Sequence, residues 1–251
     1  DLKAQHRSII DRCVQAVYRP YIASGYKGNA PTLTDLQAEI KKQPEPEAQE
    51  LALAAELFIS GSLSIFAQKT NVDQNNRLTS YNILDLGEQL LPMGMLVILE
   101  SIYNRVIQNW RSGRRTWVFV DEFSIFFRYP FATNFFLRMW KQVRKRAGYM
   151  TGITQNVGEM LTSKDACWML ANSEFLIMLS QSASDRAALA ELLNISDTQL
   201  SYVENADPGC GLMKFGGAFI PFVNSFPEDT ELYKLMTTKP ADREQVKPNG
   251  V

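Results

Sequence analysis

The chain has 251 residues, 45% of them hydrophobic, enough for one large domain or a domain with a lobe. Its 26 Lys and Arg nearly balance 27 Asp and Glu, for a formal net charge of −1. That balance argues against a dedicated DNA-coating protein and leaves any such contact to a local patch or an assembled ring. Three scattered cysteines (Cys13, Cys167, Cys210) and a single histidine, His6, lack metal-ligand spacing and suit reduced thiols in a cytosolic protein. No apolar run reaches the roughly 20 residues that span a bilayer, and no signal peptide is present. Asp1 rather than Met opens the chain, which reads as part of a longer polypeptide.

Residues 3–22 have helical periodicity, with Ile10, Val14, Val17 and Tyr21 on one face. Thr32 and Asp35 form a capping-box pattern that starts a second helix. Pro44 and Pro46 break the chain, and a third helix over about 47–59 presents Leu51, Ala55 and Phe58. Up to about residue 60 the pattern is all-helical, a lobe or insertion. Residues 81–86 are strand-like, and Pro92 opens a long helix with Met95, Leu99, Ile102 and Val106 inward. Thr116–Val120 is a short apolar strand ending at Asp121-Glu122. A helix over 134–147 closes at Gly148, and Tyr149–Thr154 is a second strand. Ser163 starts a helix that ends near Asn172, Glu174–Leu179 is a strand, and Ser184 caps a helix through Leu193. Ser196 and Gln199 make a second capping box. Residues 211–215 and 218–223 form a hairpin around Gly216-Gly217. Strands alternating with helices predict an α/β sheet, largely parallel. Residues beyond about 239 are polar and read as a tail.

The chemistry begins at the end of the 116–120 strand. An apolar strand that stops at adjacent carboxylates is the Walker B pattern, because ligands bind at the carboxyl edge of a parallel sheet. Asp121 there suits a Mg²⁺ ion or its water, and Glu122 suits polarising the water that attacks a terminal phosphate. An ordinary acidic turn has the same pattern. Gln155, in Gly152-Ile153-Thr154-Gln155-Asn156, ends the next strand and suits a side chain that orients this water; taken alone, Thr154 and Gln155 are better explained as a cap of the following segment. Arg144 and Lys145 sit at a helix end, where the dipole favours cations in any case. The functional reading makes them an arginine finger or a phosphate contact. Arg186 is a further candidate for that role, against a solvated helix start. No G-x-x-x-x-G-K-[ST] loop occurs: Gly61 leads to Lys69-Thr70 without a second glycine before the lysine.

In this order, the segments resemble the large cytoplasmic ATPase of type IV secretion and conjugation systems (the VirB-four/TraC-like family), in the form carried by Gram-positive conjugative elements. The likeness spans about Ser8 to Lys239. It is carried by Ser8–Cys13, Gly61–Phe66, Thr70–Asp73, Thr116–Phe123, Trp140–Lys145, Gly152–Asn156, Asn194–Ser196, Gln199–Val203 and Thr230–Tyr233. The resemblance implies a RecA-like P-loop NTPase core with an all-helical lobe, the Walker A strand being absent from these residues. Domain limits of 1–75 for the lobe, 76–239 for the core with its hairpin and 240–251 for the tail follow. It further implies ATP and Mg²⁺ as cofactors of the parent protein and hexamer formation. Partners would be secretion-channel subunits and a coupling protein, with a DNA contact and peripheral membrane association, at the cytoplasmic face of the cell membrane.

Two other readings stand beside this motor. One is a catalytically inert scaffolding module of the same machine; the other is a DNA-pumping ATPase of the coupling or segregation type. Without Walker A, the 251 residues alone are expected to be inactive.

Overall fold

The computed structural model describes residues 2–69, 76–155, 157–224 and 226–237. The chain forms two compact units, Asp1–Ser101 and Ile102–Val251. The predicted lobe limit at residue 75 and the tail at 240–251 both fall outside the described residues.

The first unit is helical: α1 (Ala4–Ala23), α2 (Leu33–Lys41) and α3 (Pro46–Ile59). Its core is Ile9, Cys13, Ile40, Ala48 and Ala52, with Leu36 and Leu51 against it. The inward face of α1 is therefore one residue off the sequence reading. Ile9 and the fully buried Cys13 lead, while Ile10, Val14, Val17 and Tyr21 are half-buried. The apolar stripe of α1 is wide, and Cys13 shares its core with Ile40 of α2 and the small Ala48 and Ala52 of α3. Burial raises the Cys13 thiol above its ordinary pKa. At the start of α2 the Thr32 N–H (2.7 Å) and hydroxyl (2.9 Å) both donate to the Asp35 carboxylate. Those bonds hold the Asp35 pKa below the usual carboxylate range.

Tyr81–Leu86 is not a strand: only a 3-10 turn, Leu84–Leu86, forms there. Asn82 and Asp85 hydrogen-bond side chain to side chain at 3.4 Å, a local turn contact that competes with extended pairing. Next, α4 (Gly87–Arg111) carries the chain from the first unit into the second. It begins before Pro92, which sits inside it and forgoes one hydrogen bond to an early carbonyl. Of the predicted inner face, Met95, Leu99 and Val106 are buried along it and Ile102 is half-buried. By length and composition alone, α4 is long and apolar enough to cross a membrane, the one such helix among the described residues. The contrary sequence reading counted only unbroken apolar runs.

In the second unit β1 (Thr116–Val120) leads through a 3-10 turn, Phe123–Arg128, to α5 (Pro130–Gln142). A further 3-10 turn, Val143–Arg146, ends at Ala147 in the left-handed region, φ 51°. Gly148 therefore does not close the helix but opens β2 (Gly148–Gly152). Its missing side chain is needed, since a Cβ there would overlap Val143. After β2 come α6 (Val157–Leu161), α7 (Lys164–Ala171), β3 (Phe175–Met178) and α8 (Ala183–Leu193). Ser182, not Ser184, caps α8, its hydroxyl accepting the Asp185 N–H. The short α9 (Asp197–Leu200) carries the Ser196/Gln199 capping box. Last are the hairpin β4 (Cys210–Phe215) and β5 (Ala218–Val223), and α10 (Glu231–Met236).

The strands form two sheets rather than one. β1 pairs with β2 in parallel, and β3, β4 and β5 pair antiparallel in that order. The expected largely parallel sheet is thus present as one parallel pair. Local hairpin closure joins β4 to β5, and β3 takes β4 as its partner. Met178 and Leu212 bury against Leu189, Leu193, Ile195 and Val203. All three cysteines are free.

The α2 cap gives a direct test. Thr32→Ala should lower stability by about 1 kcal/mol, measured as a shift in the urea midpoint at pH 7. Because the folded pKa of Asp35 is depressed, its contribution is complete above the unfolded carboxylate pKa. It is lost as pH falls through the folded value. The wild-type advantage over Thr32→Ala should therefore shrink below about pH 4.

Candidate functional site

The parallel register sets the site. Val120 lies opposite Gly152, and the pairing runs past the strand ends: Ile153 N–H donates to Val120 O and Phe123 N–H to Ile153 O, both at 2.8 Å. Asp121-Glu122 and Thr154-Gln155 thereby emerge side by side at the carboxyl edge of the pair. Gln155 Nε2 donates to Glu122 Oε1 at 2.8 Å, across 33 residues of sequence. The Glu122 N–H donates to Asp121 Oδ1 at 3.0 Å. Glu122 itself adopts φ 47°, ψ 47°, the left-handed region that a non-glycine residue enters only when its surroundings hold it there.

Phe123 is the holding element. It is buried, stacked on Trp140 (centroids 5.5 Å apart) and edge-on to Phe136 (4.9 Å) and Phe127 (5.0 Å). Its ring occupies the space over Gly152, where a Cβ would come within 2.5 Å of Phe123 Cδ1. The glycine at the end of β2 thus lets the aromatic wedge sit tight beneath Glu122. A second clamp is one the sequence reading missed. Arg128, ending the turn after Phe123, donates to Glu159 on α6 at 2.7 Å. The bond lowers the Glu159 pKa and raises that of Arg128. It ties the segment after Glu122 to the segment after Gln155. Two opposite charges 31 residues apart carry no local signature, so the sequence gives no cue to it.

The cationic candidates lie elsewhere. Arg144 and Lys145 occupy the 3-10 turn before β2, at the amino edge of the parallel pair and exposed. Five-residue strands put that edge about 16 Å from the carboxyl edge. Neither residue is in an ion pair among the described residues. Arg186, in the first turn of α8, is bound to Glu204 at 2.7 Å. The structure therefore brings together Asp121, Glu122 and Gln155 and leaves Arg144, Lys145 and Arg186 apart from them.

Asp121 is exposed and in no ion pair among the described residues, so its carboxylate fits a hydrated divalent cation. No cluster of three or more His, Cys, Asp or Glu able to hold a metal occurs among the described residues. A cation would need further oxygens, such as those of a phosphate. For a triphosphate itself these residues offer no glycine-rich cradle. An open surface hollow in the first unit, lined by Leu2, His6, Arg7, Glu50, Leu51 and Ala54, holds none of the candidates.

The second unit is thus a mixed α/β fold with a carboxylate pair and a polar side chain at the carboxyl edge of its parallel strands. No family model and no curated protein matches the sequence. Among solved structures the chain is similar to VirB4 of Thermoanaerobacter pseudethanolicus, with a TM-score of 0.74 and 22% identity over 91% of this chain. The neighbour bears the name of the family that the sequence resembles, and the likeness shows that this chain has its fold. The chain spans 66% of the length of that structure. It is also similar to the plasmid coupling protein TrwB in complex with the non-hydrolysable GTP analogue GDPNP. There the TM-score is 0.49 and the identity 15%, over 90% of this chain and 65% of that one, too weak a likeness to argue from.

Gly152→Ala tests the wedge. The added methyl must displace the Phe123 ring, which is packed on three sides by aromatics. The expected cost is about 1–3 kcal/mol in chemical denaturation. Thr151→Ala, on an exposed neighbouring position, should stay within about 0.5 kcal/mol of wild type.

Proposed function

We propose that this chain is the C-terminal part of the ATPase motor of a type IV secretion or conjugation system, acting in the parent protein on ATP with Mg²⁺. The observation that carries this reading is the Gln155–Glu122 hydrogen bond at the carboxyl edge of the β1–β2 pair. In an acidic turn with no task, nothing requires an amide from another strand to orient the carboxylate, nor a left-handed backbone to aim it.

Bound ATP and Mg²⁺ would supply the scissile phosphoanhydride and its charge neutralisation. Asp121 would hold the cation's water shell through the oxygen that does not accept the Glu122 N–H. Glu122 would accept a proton from the attacking water, with Oε1 held by Gln155 and Oε2 left to take it. Gln155 keeps the carboxylate from swinging toward Asp121. Arg144 and Lys145 are too far away to serve the acid pair of their own chain. Their place at the opposite edge suits a contact with the site of a neighbouring subunit in a ring, as an arginine finger does. The Gram-positive affinity, the hexamer, the channel and coupling-protein partners and the cytoplasmic membrane-face location belong to this same reading. Arg186 is assigned a structural role, since Glu204 engages it.

Glu122→Gln in the full polypeptide should leave ATP binding intact and lower turnover about 10²–10⁴-fold. Steady-state phosphate release checks this, and near-wild-type hydrolysis would remove Glu122 from the mechanism. Subunit mixing tests the cations: Arg144→Ala protein combined with Glu122→Gln protein should regain activity in mixed rings, and rings shown to mix without recovery would return Arg144 to a dipole-capping role. The 251 residues by themselves should show no micromolar affinity for Mg-ATP in calorimetry, because they hold the carboxylate side of the site without a phosphate cradle.

A further inference from the structure

Three segments leave the carboxyl ends of β1, β2 and β3, and α6 is where they meet. α6 begins two residues after Gln155. Its Val157 packs into the core that β3 and α8 share, and its Met160 is buried. Gly158 lies against Asp185 in the first turn of α8, where a Cβ would meet the carboxylate Oδ1 at 3.0 Å. Glu159 accepts the Arg128 Nε–H at 2.7 Å, at the end of the turn that follows β1.

The same two stretches of backbone are therefore joined twice. Glu122 and Arg128 stand six residues apart on one stretch, and Gln155 and Glu159 four residues apart on the other. The links are Gln155 to Glu122 at 2.8 Å and Arg128 to Glu159 at 2.7 Å. Each link raises the effective concentration of the other's groups.

The outer link is poorly placed to stabilise the fold. Its side chains are 62% and 33% exposed, and water screens such a pair until it adds little stability. Stability here comes from apolar burial, of Phe123 and Phe126 on one stretch and Val157 and Met160 on the other. Burial is non-directional and leaves α6 free to slide over the turn. A charge-assisted hydrogen bond removes that freedom, because it holds only at one length and angle. The inner link needs such precision. A shift of α6 by about 1 Å would take Gln155 Nε2 out of hydrogen-bond reach of Glu122.

We propose that Arg128 and Glu159 are positioning residues for the hydrolysis assigned to Glu122. Their bond fixes α6, α6 fixes Gln155, and Gln155 fixes Glu122 Oε1. Both act through α6 and Gln155 rather than on the reacting atoms. The kinetic consequence rests on the ATPase reading, whereas the latch rests on the geometry alone. Because Glu122 serves the chemical step, loss of the latch lowers kcat and leaves nucleotide binding as it was.

Charge reversal in the full polypeptide tests this. Arg128→Glu and Glu159→Arg should each lower kcat about 10²-fold. KM should stay within about twofold, and the urea midpoint should not move. The double variant Arg128→Glu/Glu159→Arg remakes the pair with its polarity exchanged and should return kcat to within about threefold of wild type. Single variants at full rate would overturn the proposal, as would a double variant no faster than the slower single. A urea midpoint that falls in step with kcat would overturn it too, since the pair would then be merely structural. Amide hydrogen exchange without nucleotide separates this failure from that of the ATPase reading. In both single variants the Leu161 amide, at the end of α6, should exchange at least about tenfold faster than in wild type, and the double variant should restore it. Full turnover by Glu122→Gln would remove the ATPase reading and leave the exchange to decide the latch. Unchanged exchange at Leu161 would overturn the latch whatever the turnover.

Discussion

The site depends on the parallel pairing of β1 with β2, continued beyond both strand ends by the Ile153–Val120 and Phe123–Ile153 hydrogen bonds. Parallel strands start and stop together. The pairing therefore sends Asp121-Glu122 and Gln155 out of one edge and confines Arg144 and Lys145 to the other. A slip of one residue would turn Val118 and Val120 outward and separate Gln155 from Glu122. The register is pinned by size as much as by hydrogen bonds. Phe123 fits only over a residue without a side chain, and Gly152 is that residue.

Around this pairing the aromatic cluster and the Arg128–Glu159 bond act as two clamps of different character. The rings of Phe123, Phe126, Phe136 and Trp140 make a rigid block under the left-handed Glu122, with edge-on and stacked contacts that each favour one geometry. The ion pair is surface-exposed and adds direction rather than much stability. Together they hold a carboxylate in a backbone conformation that its own residue disfavours, the arrangement expected where orientation matters more than local energy.

The helical unit follows simpler rules. Small residues on α3 meet Cys13 and Ile9 on α1, and a capping box begins α2. No candidate catalytic residue lies in it. Its fold is set by helix periodicity and caps, which is why its helices were predictable to within a residue or two.

By itself the sequence determined what is local. Thr32 and Ser196 start helices because their side chains bond within one turn. Gly216-Gly217 turns a hairpin because φ 56° costs glycine nothing. The run Trp117–Val120 before two acids marks the end of a strand. Tertiary structure decided what depends on distance. Tyr81–Leu86 has strand-like composition yet forms a turn, since a strand exists only with a partner. The core side of α1 was settled by what α3 presents to it. Gln155 became a partner of Glu122, Arg186 became a partner of Glu204, and Arg128 found Glu159, each across 18 or more residues. Spacing in the chain does not encode such meetings, because they arise from strand register and helix packing rather than from the repeat of any one element.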